Sequence, residues 1–376
     1  MIKFLKDRIL PLFMIAWLGG LLPACVYDDE DTATGPEKTD GFNISIAISV
    51  GEASTARAYE GGLPEEGGIG AENYINIDDL QIYAFSTDGS ELLAQVYPQS
   101  DGSKVAMEPS VVQIGNMYYL KAELSYDIFS KPENQTFKLV AVANEAQSAV
   151  AGWGALTGLT YIRTPMDNTS WYPVWGDSGI PMFGVQEVSL AGYSFKTNNQ
   201  FNPFTLDNVN MLRAMAKIEV INAVEGTLGA INSVNLTPGY HTQGRIAPNG
   251  VDAMTTTEDV MVANIPDDPG LQMAMLSFHK EAAGKFVAYV PEFDLDADNR
   301  GDAITIDIAG TKYNLSLTPY ENGLPGTVDE ANAYPWNALL RNHIYRYTIT
   351  GMKVSALLVE LLVKPWDALP LNPDYE

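Results

Sequence analysis

Apolar and polar residues alternate most regularly between Phe42 and Val50, where the chain reads F-N-I-S-I-A-I-S-V. Side chains of a β-strand point alternately to its two faces, so this period of two predicts a strand that is buried on one face. The residues expected on the buried face are Phe42, Ile44, Ile46, Ile48 and Val50.

Other segments of strand length follow, separated by turn residues. The pattern predicts strands over 79–85, 117–124, 136–143, 185–190, 212–220, 230–236, 271–278, 286–290, 303–308, 313–317, 342–349 and 354–364. An alanine-rich stretch over 144–159 is compatible with one short helix. Regularly spaced short strands of this kind indicate an all-β fold with a minor helix, built from sandwich domains.

The last of these segments, V-S-A-L-L-V-E-L-L-V-K, fits either a strand or a heptad helix. Its odd positions from 357 to 363 are all apolar, and Pro365 and Trp366 follow at once, which favours a short strand. The apolar odd positions are Leu357, Val359, Leu361 and Val363.

The segment after the first strand, G-E-A-S-T-A-R-A-Y-E-G-G, is rich in small residues and contains Arg57. Exposed loops of this composition are the sites that proteases cut most readily. A regular strand joined to such a loop suggests that the strand is removed and replaced during assembly.

The N-terminus carries a targeting signal. Three basic residues precede an apolar stretch over 9–22 that is too short to span a bilayer. Leu22-Pro23-Ala24-Cys25 then resembles a bacterial lipobox, which predicts lipidation of Cys25, the one cysteine of the chain. The acidic run V-Y-D-D-E-D after it resembles a surface-export signal, although a solvated linker is the alternative.

Composition narrows the class of partner. The 376 residues suffice for two domains and carry a formal net charge of -25, which argues against nucleic acid and against an anionic membrane surface. A single cysteine allows neither an intramolecular disulfide nor a cysteine-based zinc site.

Candidate chemistry is sparse. His241, His279 and His343 show no metal-ligand spacing, and no nucleophile elbow or phosphate loop is present, so we expect no enzyme and no cofactor. The acidic run Asp294–Asp302 resembles a calcium loop, but it lacks the glycine and glutamate of that motif. We therefore interpret it as a solvated turn and predict no metal site.

Four motifs together resemble the fimbrillins of Bacteroidales, the subunits of type V pili. They are the lipobox with its linker, strand and A-R-A; F-K-L-V-A-V-A-N at 137–144; R-A-M-A-K-I-E-V at 213–220; and R-N-H-I-Y-R-Y-T-I-T-G at 341–351 followed by L-L-V-K-P-W at 361–366. Their order and spacing span nearly the whole chain.

The resemblance implies two tandem β-sandwich domains of the transthyretin-like Greek-key type. The implied segments are a signal peptide (1–24), a propeptide with linker and sacrificial strand (25–57), an N-terminal sandwich (58–205), a C-terminal sandwich (206–351) and a donor-strand segment (352–376).

It also implies an assembly route. A lipoprotein precursor reaches the outer membrane, and an arginine-specific surface protease cuts between Arg57 and Ala58. The sacrificial strand then leaves, and the donor strand of another subunit, with Leu357, Val359, Leu361, Val363 and Trp366, takes its place. The expected partners are other fimbrial subunits, in a homopolymer or as accessory subunits of a cell-surface fimbria.

Three alternatives stay open at this point. The first is another type of pilus subunit. An anchor subunit would keep its lipid and remain uncut, and the C-terminal strand argues against a tip subunit. A glycan-binding surface lipoprotein could use Trp171, Tyr172 and Trp175 as a sugar platform, although such aromatic residues more often belong to a core. An enzyme is the least favoured reading.

Overall fold

The structure is a computed structural model. It describes residues 41–50, 70–98, 111–114, 117–145, 154–156, 160–162, 179–193, 195–198, 201–236, 240–241, 243–248, 250–255, 272–273, 275–294, 304–315 and 338–366. One compact unit contains all of them.

Strands dominate this part of the chain, which confirms the predicted all-β class. The strands are β1 Gly41–Val50, β2 Gln81–Ser86, β3 Leu92–Tyr97, β4 Val112–Ile114, β5 Met117–Ser125, β6 Thr136–Ala143, β7 Thr160–Ile162, β8 Met182–Ser189, β9 Phe204–Thr205, β10 Val209–Arg213, β11 Met215–Asn222, β12 Ile231–Leu236, β13 Tyr240–His241, β14 Gln243–Arg245, β15 Gln272–Met273, β16 Leu276–Ser277, β17 His279–Ala282, β18 Lys285–Pro291, β19 Phe293–Asp294, β20 Ile304–Ile308, β21 Thr311–Leu315, β22 Ala338–Leu339, β23 His343–Lys353 and β24 Ala356–Pro365. The helices are α1 Tyr126–Phe129 and α2 Glu225–Leu228, with 3₁₀ turns at Gly70–Asn73, Ile77–Asp79, Pro132–Asn134, Phe195–Thr197 and Val251–Ala253.

Nine of the described strands form one sheet in the order β3-β2-β6-β8-β10-β1-β5-β4, with β9 paired to β1. Side chains from both ends of this sheet, such as Ile46 and Leu120 on one side and Ile82 and Leu139 on the other, share one hydrophobic core. The sheet therefore folds over on itself and encloses that core as a sandwich does.

The second half of the chain encloses a separate core. A five-stranded sheet, ordered β17-β18-β11-β23-β24, faces a four-stranded sheet, ordered β16-β12-β20-β21. Ile218 and Tyr347 from the first sheet and Val234 and Ile306 from the second lie in this core.

A third buried cluster joins the two halves. It contains Val140 and Phe183 from the outer face of the nine-stranded sheet, together with Val287 and Tyr289 from β18. Trp366, which follows β24, is buried in the same cluster.

The single strand predicted over 212–220 is wrong, because the structure has two strands there. β10 pairs with β1 and β8 in the nine-stranded sheet, whereas β11 pairs with β18 and β23. Ala214 separates them, and its backbone N–H donates to the carbonyl of Pro181 at 2.8 Å. The chain thus passes from one sheet to the next at Ala214, while the predicted domain boundary between residues 205 and 206 stays a prediction.

Candidate assembly site

β1 lies inside the nine-stranded sheet, between β5 and β10. It pairs with β5 in antiparallel orientation over nine consecutive positions, from Gly41↔Ser125 to Ser49↔Met117. On its other side it pairs in parallel with β9 at Ile44 and Ser45, and with β10 from Ile48 to Val50. Removing β1 would therefore open a groove with hydrogen-bonding walls on both sides.

The inward face of β1 is fully buried. Ile44, Ile46 and Ile48 are 0% exposed, and Phe42 and Val50 are at most 5% exposed. The alternating pattern of the sequence thus places the same five side chains that were expected at the core.

Aromatic side chains enclose the N-terminal end of β1. The ring of Phe42 lies 5.4 Å from that of Tyr193, 4.9 Å from Phe195 and 6.1 Å from Phe204, measured between centroids. Tyr193 and Phe204 are in edge-to-face contact at 4.7 Å. These rings form a pocket that accepts one large apolar side chain.

At the same end of β1, the side chain of Asn198 makes backbone hydrogen bonds of the kind that a neighbouring strand would make. The side-chain Oδ1 of Asn198 accepts from the backbone N–H of Asn43 at 2.6 Å, and its Nδ2 donates to the Asn43 carbonyl at 2.8 Å. These two bonds go to the backbone and do not depend on the side chain at this position, although Nδ2 of Asn43 adds a longer contact to Oδ1 of Asn198 at 3.4 Å.

A second polar contact holds the C-terminal end of β1. The hydroxyl of Ser49 donates to Oδ1 of Asn210 at 2.8 Å and accepts from Nδ2 of Asn208 at 2.6 Å. Nδ2 of Asn208 also donates to Oδ1 of Asn210 at 2.6 Å. This contact, unlike the two backbone bonds of Asn198, depends on the side chain that β1 presents at this position.

The segment expected to be the donor forms β24, at the edge of the five-stranded sheet. β24 pairs along its length with β23, from His343↔Pro365 to Lys353↔Ala356. Its odd-numbered apolar side chains are partly buried against the core of the second half, and Leu358 and Glu360 on its other face are exposed. The four partly buried side chains are Leu357, Val359, Leu361 and Val363.

Trp366 is fully buried, and several of its neighbours are polar or charged. Its indole N–H donates to Oε2 of Glu72 at 3.2 Å, and its ring stacks on Tyr289 with centroids 5.6 Å apart. The guanidinium of Arg213 lies 4.5 Å from the ring centroid. Glu72 also accepts from the Tyr289 hydroxyl at 2.5 Å and pairs with Lys217 at 2.7 Å.

Arg213 connects this environment to the groove. It ends β10, two residues after the last position that pairs with β1. Its Nη1 donates to the Trp366 carbonyl at 2.7 Å and to Oδ1 of Asn342 at 2.8 Å, and its Nε donates to the Glu72 carbonyl at 2.9 Å. A buried charge with this many acceptors fixes the position of the groups around it.

Buried charges recur in the five-stranded sheet. Burial alone would raise the pKa of Glu219, but Lys217, Lys285 and Arg346 surround the carboxylate and lower its pKa to about 2. Arg346 contributes a hydrogen bond to Glu219 at 2.6 Å. The positive charges of these three residues therefore offset the buried negative charge of Glu219. We interpret this network as one that stabilises the sheet rather than as a reactive site.

His343 is buried beside a second ion pair, in which Arg341 binds both oxygens of Glu292 at 2.9 and 2.6 Å. Burial lowers the pKa of His343 to about 4, against the opposing effects of the Arg341 carbonyl and of Glu292. His279, by contrast, lies on the surface. The side chain of His241 is outside the described residues.

Within the described ranges, no group of three or more His, Cys, Asp and Glu side chains could hold a metal ion. The helices described there also lack the length and apolar character needed to cross a bilayer. Several predicted sites lie outside the described residues: Cys25, Arg57, Ala58, Trp171, Tyr172, Trp175 and the acidic run after Asp294.

The structure brings together residues that the sequence analysis did not select. Asn198, Asn208 and Asn210 contact β1 from more than 150 positions away, so no local pattern marks them. Arg213 and Glu72 likewise meet across 141 positions. The one signal in the sequence was Arg213 itself, a charged residue within an apolar strand segment.

Solved structures of a fimbrial protein and of a candidate cell adhesion protein share this architecture. The tip fimbrial protein Mfa3 from Porphyromonas gingivalis, solved with a C-terminal truncation, superposes with a TM-score of 0.54 and 16% identity, covering 87% of this chain and 100% of its own. A candidate cell adhesion protein from Parabacteroides distasonis superposes with a TM-score of 0.50 and 14% identity, covering 88% of this chain and 98% of its own. No protein-family model matches the chain, and no curated protein sequence matches it. The resemblance inferred from the sequence motifs is confirmed at the level of the fold.

Proposed function

We propose that this chain is the precursor of a structural subunit of a cell-surface fimbria that supports adhesion. In this proposal an arginine-specific protease cuts after Arg57, β1 leaves, and a strand of another subunit fills the groove. The observation that carries the proposal is the position of β1: it is central in its sheet, yet one cut between Val50 and Gly70 separates it from every later described strand.

The energetics of the groove favour polymerisation. An empty groove would expose five large apolar positions and the unpaired backbone of β5 and β10, which is costly in water. Re-burying five such side chains is worth about 8–15 kcal/mol as an upper figure, from about 1.5–3 kcal/mol each. A strand from a second subunit that supplies these groups would give a long-lived contact.

The geometry of donation favours a filament. Each subunit would offer a groove in its first half and a donor strand in its second, so every contact is head-to-tail. Such heterologous contacts propagate into open chains rather than closing into dimers. Backbone pairing supplies affinity, and alternating side chains supply register.

β24 must leave its own sheet before it can serve a neighbour. Its four odd-numbered apolar side chains are only partly buried beside β23, and a groove would bury them fully. Trp366 holds the C-terminal end of β24 in the buried cluster, so its release is part of the donation step. The precursor would thereby keep its donor strand bound until a groove is available.

The cut would also change how the subunit is held at the cell. Cys25 lies before Arg57, so cleavage removes the predicted lipid together with β1. The uncut precursor would be an outer-membrane lipoprotein, and the cut subunit would be held by its neighbours alone.

Replacing the arginine tests the proposal directly. We expect Arg57→Ala and Arg57→Lys precursors to stay monomeric with an arginine-specific protease, whereas the unchanged chain forms a ladder of polymers. Trypsin, which also cuts after lysine, should restore the ladder for Arg57→Lys but not for Arg57→Ala. Equal polymerisation of all three chains would contradict the proposal, and a native protein that is lipidated and never shortened would instead indicate an anchor subunit or a glycan-binding lipoprotein.

A further inference from the structure

The groove left by β1 has a chemical pattern on its outward side. Lys121 of β5 lies directly opposite Ser45, and Tyr119 lies opposite Ala47. Both wall side chains are exposed. Because they belong to β5, they remain when β1 leaves, and they face any strand that replaces it.

The end of the groove adds a buried acceptor. Oδ1 of Asn208 is buried and has no hydrogen-bond partner among the described residues, although its Nδ2 contacts Ser49 and Asn210. Oδ1 of Asn210 accepts from the hydroxyl of Ser49, so it faces the position of Ser49. Another side chain that donates hydrogen bonds could bond Oδ1 of Asn210 from that position.

β24 carries a complementary pattern. Four apolar side chains occupy its odd positions from 357 to 363, in the same alternation as the five on the inward face of β1. Its even positions from 358 to 364 are Leu, Glu, Leu and Lys. The acidic residue is Glu360, and the hydrogen-bond donor is Lys364.

We propose that β24 of a second copy of this chain enters the groove in the same direction as β1, with Leu357 at the position of Phe42. Lys121 and Asn210 then act as the residues that fix its register. This inference rests on the proposed function and adds the alignment, direction and recognition residues of the donor strand.

Three of the four outward positions have a favourable partner in this alignment, whereas Leu358 takes the position of Asn43, opposite Glu123. Glu360 takes the position of Ser45 and lies opposite Lys121, which makes a cross-strand pair of opposite charge. Leu362 takes the position of Ala47, opposite the ring of Tyr119. Lys364 takes the position of Ser49, beside Oδ1 of Asn210.

A slip of two residues in either direction loses these contacts. It would place Leu358 or Leu362 opposite Lys121, and it would put Leu362 or Trp366 beside the asparagines. Leu362 has no donor for Oδ1 of Asn210, and Trp366 has a single N–H in place of the ammonium of Lys364.

Reversal of the strand keeps one contact and loses the other. With the direction inverted about the same centre, Glu360 still faces Lys121, but Ala356 replaces Lys364 beside the asparagines. The long pairing with β5 would also change from antiparallel to the slightly weaker parallel type. The charge pair thus selects the offset, and Asn210 selects the direction.

Disulfide cross-linking in polymers tests this alignment. Cys25 is the one cysteine of the chain and the cut after Arg57 removes it, so single-cysteine variants have no background. A Tyr119→Cys chain is mixed with a Leu362→Cys chain or, as the matched comparison, with a Leu358→Cys chain. Both chains are cleaved, polymerised, oxidised and run on a non-reducing gel.

We expect a covalent dimer with Leu362→Cys and at least a tenfold lower yield with Leu358→Cys, because directly opposed strand residues have disulfide-compatible spacing. A stronger dimer with Leu358→Cys would overturn the direction. Polymers that form and yield neither dimer would overturn the alignment while leaving the proposed function standing. Failure to polymerise, with β1 retained after cleavage, would overturn both.

A charge exchange gives an independent readout. Lys121→Glu and Glu360→Lys should each slow polymerisation by about two- to fivefold, as expected for an exposed cross-strand ion pair, and the doubly exchanged chain should recover. Lys131→Glu, at an exposed position before the 3₁₀ turn Pro132–Asn134, is the matched control. Failure of the double exchange to recover would contradict the pairing of Glu360 with Lys121.

Discussion

The sharpest consequence of strand replacement concerns two adjacent core residues, Ile46 of β1 and Leu120 of β5. They are direct partners in the ladder and are 0% and 1% exposed. Truncating a fully buried Ile or Leu to Ala costs about 2–5 kcal/mol of the free energy of unfolding. In the uncut precursor both Ile46→Ala and Leu120→Ala should therefore lower stability by that amount.

The two variants should differ once the polymer has formed. Ile46 leaves with β1, so polymers from the Ile46→Ala precursor should match the unchanged polymers in stability, and polymerisation should be faster because β1 is held less tightly. Leu120 remains in the wall of the groove, so Leu120→Ala should weaken the polymer contact by about 2–5 kcal/mol.

Urea unfolding of the precursor and urea dissociation of the polymer measure the two effects. The reasoning would be refuted if Ile46→Ala weakened the polymer as much as Leu120→Ala does. It would be refuted equally if Ile46→Ala left the stability of the precursor unchanged, because β1 would then not contribute to the core.

Three further results follow from the geometry. Asn198→Ala removes two hydrogen bonds to the backbone of Asn43 and should destabilise the precursor by about 1–3 kcal/mol in urea unfolding; an unchanged midpoint would contradict the role of Asn198. Trp366→Phe keeps an aromatic ring but loses the hydrogen bond to Glu72, so it should lower the free energy of unfolding by about 1–2 kcal/mol, against about 3–5 kcal/mol for Trp366→Ala. Both variants should polymerise faster, and slower polymerisation would show that Trp366 does not restrain β24. The pKa of His343 is lowered to about 4 in the folded chain from an ordinary value near 6.5, so the unfolded chain binds the proton first. The free energy of unfolding should therefore fall by about 3 kcal/mol as pH drops from 6.5 to 4. His343→Gln should flatten this dependence in urea midpoints at pH 7 and pH 4.5, and the same pH dependence in both chains would refute it.

Local alternation predicted the groove strand well, because a strand buried on one face must alternate. The sequence pattern of Phe42 to Val50 therefore indicated both the strand and its buried face. The apolar odd positions of the last strand led to a strand prediction for the same reason, and β24 is a strand.

The sequence pattern failed to predict the features that depend on contacts between distant residues. The apolar run through Arg213 contains no turn residue, so nothing local marks the break at Ala214 between two sheets. Trp366 was grouped with the donor strand, yet its partner Glu72 lies 294 positions away, and no local rule reveals that burial. The asparagines that hold β1 were missed for the same reason.

Cleaved polymers allow the most direct test of the central claim, that β1 is replaced during assembly. The measurement is the intact mass and N-terminal sequence of the subunits in purified polymers. Strand replacement predicts subunits that begin at Ala58 and contain no peptide from Gly41 to Val50. Polymers whose subunits still hold that segment would contradict the account.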